Sequence, residues 1–522
     1  MTVPPTNGNA VLPQAIDLSH HLNSLSRARQ PSPLKFLFKY AAIPNLLSFA
    51  GGVPHPSYFP FHDTTISAYP FTADPSSFPS NPTEGDLLPL LLPKYGSKGN
   101  DLATALQYGA STGHPTLVKW AREFTQEIFK PAYGDWEILL NDGNTDAWSK
   151  IVRLLLEPGD TLLTEEYTFP SAQAAWIPLG VTAVPIKMDE HGLRADHLSK
   201  TLAEWETTRP GVRRPKLLYI IPVGSNPTGS TMPAHRRQEI YDLAVEYDII
   251  IAEDDPYTFL QFPQYTVGDK TAVVPQSGED FKKSLVPSFL NLDTQGRVIR
   301  LDTFSKTIGP GFRVGYFVAN PLFTERLLRS TEVDSQAPSG WSQAILASLL
   351  TTWKNSGYLH WLSNLRDQYT LRRNHLIDSL ASSFDLRPAG STAIPNAEGL
   401  VAFLEGSEIP VFSFVPPTGG MFLWLKFYLT ESPNFKSFSA EEDPEQAFMT
   451  HLFEELATKA TILLVPGAYY SPWQGKDKTT TAARGEELGV GYFRVAYSMA
   501  TNEEMEEGVR RFEIVIRKEW EL

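Results

Sequence analysis

Short apolar runs recur between Trp136 and Phe317, and segments with helical periodicity lie between several of them. Runs of about five to seven residues are typical of buried strands. Those in this region are WEILLND, DTLLTEE, KLLYIIP, DIIIAED and RVIRLDT. Residues 145–160 and 233–248 carry the helical pattern, the first ending at Pro-Gly and the second beginning with Pro. Strands that alternate with helices predict an α/β fold with a mostly parallel sheet covered by helices.

The hydrophobic pattern changes in the last third of the chain. Residues 358–384 read as one long amphipathic helix, and after a loop-rich stretch residues 420–427 read as a strand. A further helix and a final strand and helix follow, which predicts a smaller α+β domain at the C-terminus. We therefore predict an N-terminal arm at 1–50, a large domain at 51–360 and a small domain at 361–522. The first ~30 residues of the arm are polar and contain proline, so we expect them to be mobile.

The composition narrows the class of protein. With 522 residues the chain is long enough for two domains or more, and 42% hydrophobic with 20% charged residues is ordinary for a globular protein. The formal net charge of −14 argues against nucleic acid as a partner. The absence of cysteine excludes disulfides, thiolate nucleophiles and cysteine-ligated metals, and no metal is expected. We see no signal peptide and no apolar run of the ~18 residues that span a membrane, so we expect a cytoplasmic protein without a membrane partner.

Polar clusters follow the predicted strands directly. They are NDGNTD, EEYTFPS, PVGSNPTGS, AEDDPY and TFSKT. In a parallel sheet the carboxyl ends of the strands meet at one edge, and ligands bind there. These clusters therefore predict one ligand site at that edge.

Lys306, in the segment TFSKTIGPGFRVGYF, has the surroundings of a reactive amine. Burial and a nearby cation both favour a neutral lysine, and Arg313 supplies such a cation. The planar guanidinium of Arg313 also suits a phosphate, and Thr303 and Ser305 add hydroxyls. The segment DGNTD opens a helix whose backbone N–H groups can bind an anion.

Two further motifs have a structural and a functional interpretation. NPTG at Asn226 is explained equally well as a simple turn or as a way to fix a hydrogen-bonding side chain. The carboxylates of AEDDPY are either a solvated loop or a partner for a cation such as a protonated pyridine, with Tyr257 near the same ring. The sequence then offers a candidate residue for each of four chemical groups: a phosphate, a pyridinium, a phenolic oxygen and an aldehyde. These four groups together make up pyridoxal phosphate.

The motifs NPTG, EDDPYTFLQF, TFSKTIGPGFRVGYF, PTGGMFLWL and GYFRVAYS resemble those of the fold-type I aminotransferases in order and spacing. RQPSPLKFL and LLSFAGGVPHPSYFPF resemble the aromatic, 2-aminoadipate and kynurenine aminotransferases within that family. The chain length, the predicted surface insertions and EEYTFPSA resemble the fungal aromatic enzymes most. The resemblance covers residues 29–520. It implies a pyridoxal 5'-phosphate enzyme that works as a homodimer with shared active sites.

The resemblance implies a role for each matching residue. Lys306 would bind the cofactor covalently and then move the proton at the substrate Cα. Asp254 would pair with the pyridinium, while Asn226 and Tyr257 would bind the phenolic oxygen. The residues implied around the phosphate are Asn144, Thr145, Thr303, Ser305 and Arg313.

Substrate contacts and the neighbouring subunit account for the other implied residues. Arg494, in GYFRVAYS, would bind the substrate α-carboxylate bidentately, with Asn226 beside it. Gly52 would let the substrate approach closely. Tyr108 would reach the phosphate of the neighbouring subunit.

Some positions depart from the family pattern. Asn144 and Thr145 stand where Ser or Gln is common, and Thr303 where Ser is frequent. Phe169 aligns with the ring-stacking residue, which is usually Tyr, and Tyr167 lies two residues before it. Other positions have a structural alternative: an arginine such as Arg494 often belongs to a structural ion pair, and Lys35, at a position where relatives hold a substrate-binding arginine, is equally expected as a surface lysine.

The sequence thus predicts an aminotransferase that moves the amino group of an aromatic or related large L-amino acid to a 2-oxo acid by a ping-pong route. The expected acceptor is 2-oxoglutarate. A lyase or synthase with the same cofactor is the alternative within enzymes. A transcription regulator with an aminotransferase-like domain is the alternative outside them, although the roughly 30 residues before the matched region are too few for a winged helix.

Overall fold

The structure is a computed structural model that describes residues 11–33, 40, 43–47, 49–50, 52–96, 99–268 and 276–521. The chain divides into two compact units. The first unit comprises Met1–Pro158, Asp248–Pro256 and Pro287–Trp361, and the second comprises Gly159–Tyr247, Tyr257–Val286 and Leu362–Leu522.

The strands, in chain order, are β1 (Asp63–Ala68), β2 (Leu88–Pro93), β3 (Glu137–Asn141), β4 (Thr161–Glu165), β5 (Thr182–Ile186), β6 (Met188–Asp189), β7 (Gly192–Leu193), β8 (Leu217–Ile220), β9 (Ile250–Asp254), β10 (Val298–Thr303), β11 (Gly315–Ala319), β12 (Asp385–Pro388), β13 (Leu400–Phe403), β14 (Pro410–Phe414), β15 (Phe422–Tyr428), β16 (Val465–Pro466) and β17 (Val490–Ala496).

The α-helices are α1 (Ser24–Ala28), α2 (Leu102–Ala105), α3 (Pro115–Ile128), α4 (Asn144–Leu155), α5 (Pro170–Trp176), α6 (Ala195–Ala203), α7 (Trp205–Thr208), α8 (Ala234–Glu246), α9 (Gly278–Ser284), α10 (Pro321–Asp334), α11 (Gly340–Ser383), α12 (Pro444–Glu454), α13 (Thr481–Arg484) and α14 (Asn502–Trp520). No helix among the described residues has both the length and the apolar character needed to cross a lipid bilayer.

In the first unit, β9 and β10 are parallel, and β11 is antiparallel to both β10 and β3. β3, β9 and β10 therefore run in the same direction. Every residue of β9 and β10 is buried, as expected for strands covered on both faces. The first unit also contains the antiparallel hairpin of β1 and β2.

Helix α4 packs because its apolar residues recur at helical spacing. Ala147, Trp148, Ile151 and Leu155 are all buried, one turn apart on the same side of the helix. Because this face is fixed in the core of the first unit, the N-terminus of α4 has a defined position beside the end of β3.

In the second unit, β4 is parallel to both β5 and β8. The C-terminal part of this unit forms an antiparallel sheet in the order β12-β13-β14-β15-β17-β16. In that sheet Trp424 lies directly opposite Arg494, so the two side chains share a face.

The strands predicted from apolar runs are confirmed as β3, β4, β8, β9 and β10, and the two predicted helices as α4 and α8. The predicted helix at 358–384 belongs to α11, which begins earlier, at Gly340, and has non-helical backbone at Lys354 (φ 57°). β5 and β11 were not predicted as strands. The domain boundaries given by the sequence remain a prediction.

The N-terminal segment 11–29 packs against other parts of the first unit. Leu18 and Leu22 are buried, and the Ile16 N–H donates to the carbonyl oxygen of Gln295 at 3.0 Å. The sequence led us to expect a mobile arm over the first ~30 residues, because they are polar and contain proline, and it did not indicate the burial of Leu18 and Leu22. Their burial comes from contacts with residues far away in the chain.

Leu18→Ala should lower the free energy of unfolding by about 2–5 kcal/mol, because it leaves a cavity at a fully buried position. The matched control is Leu25→Ala in the same segment, where the leucine is 49% exposed and little change is expected. Urea unfolding of both variants checks this. Equal stability of the two variants would show that the segment does not pack as described.

Candidate active site

Three elements of the first unit meet at one place. β9 ends at Asp254, β10 ends at Thr303, and α4 begins at Asn144 shortly after β3. The side-chain nitrogen Nδ2 of Asn144 lies 2.7 Å from Asp254 Oδ1 and 3.2 Å from the carbonyl oxygen of Leu301. The polar clusters predicted at these strand ends are therefore brought together within this unit.

Asp254 is the middle one of three consecutive buried carboxylates. Side chains alternate across a strand, so Glu253 and Asp255 point to the face opposite to Asp254. On that face Arg300 Nη1 lies 3.1 Å from Glu253 Oε1 and 2.9 Å from Asp255 Oδ2. Each face of the strand end thus supplies hydrogen-bond donors to its carboxylates, Arg300 on one side and Asn144 on the other.

Arg300 is the centre of a fully buried charge network. It lies over the ring of Phe129 at 3.9 Å and contacts Asp302 at 3.3 Å. Burial disfavours the cation, but the carboxylates of Glu253 and Asp255 outweigh it and raise the pKa of Arg300 above its usual range. Burial raises the pKa of Asp302 to about 6, although Arg300 opposes this shift. The network ties β9 to β10 and so fixes the residues that follow at their ends.

A compact set of donors surrounds the start of α4. Gly143 precedes the helix with a φ of 93°, and a Cβ there would lie 2.6 Å from Arg313 Nη2. Arg313 donates to the carbonyl oxygen of Asp142 at 2.8 Å and lies 3.4 Å from Ser305 Oγ. The Thr303 and Ser305 hydroxyls are 2.8 Å apart. A guanidinium, two hydroxyls and a helix N-terminus together suit a phosphate group.

The turn that carries Lys306 is held in place by two aromatic side chains. The Tyr358 hydroxyl donates to Thr307 Oγ1 at 2.9 Å, and the Trp361 indole N–H donates to the carbonyl oxygen of Thr307 at 2.8 Å. Lys306 itself is half-buried. The backbone of Lys306 is therefore held in a defined position. A lysine that has to place its amine at one point needs such a fixed backbone.

Arg494 in the second unit is a buried cation. Its Nη1 donates to Asn226 Oδ1 at 2.9 Å, and its guanidinium lies 4.2 Å from the Phe422 ring centre and 5.3 Å from that of Tyr470. Burial lowers its pKa. Its Nε is buried without a hydrogen-bond partner, and no carboxylate in the described part of the chain forms an ion pair with it. The alternative in which Arg494 belongs to a structural ion pair is therefore not found among the described residues.

Asn226 and Tyr257 are also buried in the second unit. The loop at Asn226 is a closed turn, since the Ser225 N–H donates to the carbonyl oxygen of Ser230 at 2.9 Å. Tyr257 meets the ring of Phe422 edge to face at 5.8 Å. The segment is thus a turn, in which the Asn226 side chain accepts a hydrogen bond from Arg494, and the ligand-binding role of Asn226 remains a prediction.

The two candidates for the ring-stacking residue have different surroundings. Tyr167 packs against Trp424 and Tyr492, each with a ring-centre distance of 5.1 Å, and lines a cavity of about 1280 Å³ in the second unit. Phe169 directly precedes α5 and is half-buried. Because Tyr167 already packs against other aromatic rings, Phe169 is the better candidate for the ring-stacking residue. Its role remains a prediction.

The other predicted residues lie at more exposed positions. Thr145 is the exposed second residue of α4, Tyr108 is 71% exposed, and Gly52 is exposed with open space where a Cβ would be. Their roles remain predictions. Lys35 lies outside the described residues.

Sequence reasoning missed two contacts of Asp254 and its neighbours. It placed Asn144 beside the phosphate only, and it gave Arg300 no role. An arginine within the otherwise apolar run RVIRLD was the available signal, because a cation in a buried strand requires carboxylates nearby. No comparable feature of the sequence indicates the direction of the Asn144 side chain.

Comparison with known proteins agrees with this geometry. The family model for aminotransferase class I and II matches residues 92–512. An aromatic amino acid aminotransferase of Schizosaccharomyces pombe is 36% identical over 517 residues, covering 97% of this chain and 98% of that protein. An L-tyrosine:2-oxoglutarate aminotransferase of Serpula lacrymans is 35% identical over 466 residues, covering 86% of this chain and 83% of that protein.

Among solved structures, the crystal structure of aminotransferase Aro8 from Candida albicans is similar with a TM-score of 0.84 and 35% identity, covering 98% of this chain and 100% of that one. The predicted fold class, a fold-type I α/β transferase with a smaller C-terminal α+β part, is thereby confirmed.

Arg300→Met should lower the free energy of unfolding by roughly 3–5 kcal/mol near pH 8, because it leaves three carboxylates buried without their cation. The loss should be smaller near pH 5, since Asp302, whose pKa is raised by burial to about 6, binds a proton there and becomes neutral. Urea unfolding at both pH values measures this difference.

Arg510→Met is the control for the Arg300 variant. Arg510 pairs with Glu507 on the exposed side of α14, so its removal should leave the unfolding midpoint unchanged. An Arg300→Met protein that unfolds like the wild type at both pH values would contradict the role of the network.

Proposed function

Because the chain belongs to the family of class I and II aminotransferases, we propose that it transfers the amino group of aromatic L-amino acids to a 2-oxo acid, with 2-oxoglutarate as the acceptor. The buried guanidinium of Arg494, with an unpartnered Nε, carries this proposal, because both an amino acid and an oxo acid present a carboxylate. The names of the relatives from Schizosaccharomyces pombe and Serpula lacrymans support the aromatic donor and the acceptor.

The proposed cofactor is pyridoxal 5'-phosphate, and the residues present suit each of its parts. Arg313, Ser305, Thr303 and the N-terminus of α4 suit the phosphate. Asp254 suits a protonated ring nitrogen, because a buried carboxylate is stabilised by an opposite charge. When bound, the cofactor supplies an aldehyde that accepts the amino group and a ring that withdraws electrons from the substrate Cα.

Lys306 has the proposed role of covalent attachment and proton transfer. Its turn is anchored through Thr307, so that the amine reaches a defined place at the end of β10. We assign to its Nζ the uptake and return of the proton at the substrate Cα. A lysine performs this role as a neutral amine.

Arg494 has the proposed role of binding the substrate α-carboxylate. A guanidinium presents its donors in a planar fork that matches a carboxylate. Nη1 is already oriented by Asn226, and the aromatic rings of Phe422 and Tyr470 exclude water from the cation. A carboxylate there meets a partly desolvated, pre-oriented partner, which strengthens the ion pair.

The homodimer also stays a proposal, in which Tyr108 contributes to the phosphate site of the neighbouring subunit. Its side chain is 71% exposed, as expected for a residue that acts outside its own chain.

The first prediction of this proposal concerns the half-reaction. The protein purified with pyridoxal phosphate should be yellow, and phenylalanine alone should remove the visible band and release phenylpyruvate. Adding 2-oxoglutarate should then restore the band, since the second half of a ping-pong reaction returns the cofactor to its starting form. Absorption spectra with product analysis measure both steps.

Lys306→Ala is the control for the half-reaction and should not turn over. A yellow wild-type protein that keeps its band with phenylalanine would contradict the proposed donor. Release of any product other than the 2-oxo acid would favour a lyase or synthase.

A second prediction concerns Arg494→Lys. It should lower kcat/KM for phenylalanine on the order of 100-fold, because a lysine cannot reproduce the two-point contact with a carboxylate. Activity with phenethylamine, which lacks the carboxylate, should change much less, so the preference between the two donors should decrease. Steady-state kinetics with both donors measure this preference.

The matched control is Arg387→Lys, an arginine on strand β12 of the same unit that pairs with Glu408 at the surface. It should behave like the wild type. An Arg494→Lys enzyme with an unchanged preference for phenylalanine over phenethylamine would rule out the carboxylate role.

A further inference from the structure

The amide group of Asn144 is committed to two acceptors. Its Nδ2 lies 2.7 Å from Asp254 Oδ1 and 3.2 Å from the carbonyl oxygen of Leu301. Neither of these atoms can donate a hydrogen bond when Asp254 is ionised. The amide must therefore be oriented with its NH2 group towards them, since the reverse orientation would bring three oxygens together.

The place of Asn144 in the fold explains how this contact arises. It is the first residue of α4, and the α4 face with Ala147, Trp148 and Ile151 is buried. Leu301 lies opposite Asp254 in the parallel pair of β9 and β10. The helix start is therefore held against both strand ends, and the Asn144 side chain bridges them. A shorter side chain such as serine would not extend as far.

The hydrogen bond acts on the charge of Asp254. This side chain is only 7% exposed, and a buried carboxylate is costly unless donors or cations stabilise it. A donor to the ionised form favours that form and makes the carboxylate less basic. The Oδ1 of Asn144 is buried without a partner in the described part of the chain, so the NH2 contacts hold the amide in place.

We propose that Asn144 is a positioning residue that keeps Asp254 ionised and oriented for the ring nitrogen of pyridoxal phosphate. This inference rests on the proposed function, because it takes Asp254 as the partner of that nitrogen. Asp254 and the ring nitrogen compete for one proton, and the hydrogen bond from Asn144 lowers the share held by Asp254. The side chain of Asn144 thereby favours a protonated ring, which the electron-withdrawing role of the cofactor requires.

The test uses two variants that remove the donor. Asn144→Leu keeps a similar volume, and Asn144→Ala is the smaller change if the leucine variant does not fold. Each is loaded with pyridoxal phosphate labelled with ¹⁵N in the ring, and the nitrogen chemical shift reports protonation directly. Cofactor affinity is measured separately by titrating the apoprotein.

Both variants should move the ¹⁵N shift towards that of a deprotonated ring and weaken cofactor binding on the order of tenfold. The matched control is Asn100→Leu in the same unit. The Asn100 amide donates to Ser348 Oγ at 2.8 Å, and its Oδ1 is likewise unpartnered. This control should match the wild type in both the chemical shift and the affinity.

The outcomes separate the inference from the proposal beneath it. A wild-type protein that binds pyridoxal phosphate with a protonated ring, together with Asn144 variants that show the same shift, would overturn the role of Asn144 alone. Variants with weaker binding but an unchanged shift would also overturn it, since they would indicate a contact with the phosphate. A wild-type protein that does not bind pyridoxal phosphate would overturn the proposed function as well.

Discussion

Three consecutive carboxylates at the buried end of one strand are the constraint on which the first unit depends. Burying a charge is costly unless a partner stabilises it, and Glu253, Asp254 and Asp255 lie on alternating faces of β9. One partner therefore has to come from each face. Arg300, on the neighbouring strand, serves one face, and Asn144, at the start of α4, serves the other.

These partners determine where the chemistry of the site is placed. Arg300 joins β9 to β10, and β10 leads directly to Thr303 and the turn of Lys306. Asn144 holds the N-terminus of α4, beside which Arg313 and Ser305 form the group that we propose binds the phosphate. The contacts that stabilise the buried charges thus also position the residues that we propose bind the cofactor.

Arg494 in the second unit shows the opposite situation. Arg300 has several carboxylates, whereas Arg494 is buried with an amide oxygen, aromatic rings and an unpartnered Nε. Such an arrangement is unfavourable unless an external anion completes it. The contrast between the two arginines separates Arg300, which neutralises buried carboxylates of its own unit, from Arg494, for which we propose a role in binding the carboxylate of a substrate.

Much of the secondary structure could be predicted from local sequence. The strands at β3, β4, β8, β9 and β10 were recognised because a buried parallel strand is a continuous apolar run, which needs no knowledge of the partner strand. β5, with Pro185 within it, and β11, close behind a Gly-rich loop, lack this clear signal. The packing of Leu18 was missed for a similar reason, since its contacts are far away in the chain.

The sequence by itself determined the chemical types at the strand ends: a lysine beside hydroxyls, adjacent carboxylates, an asparagine turn and an arginine in a late strand. Motif order and spacing then identified the family. Only the tertiary structure decided which of these groups meet. Asn144 and Asp254 are 110 residues apart in the chain, and the direction of a side chain at a helix start depends on how the helix packs against the sheet. The same holds for the two arginines, because an ion pair depends on which carboxylates the fold brings within reach.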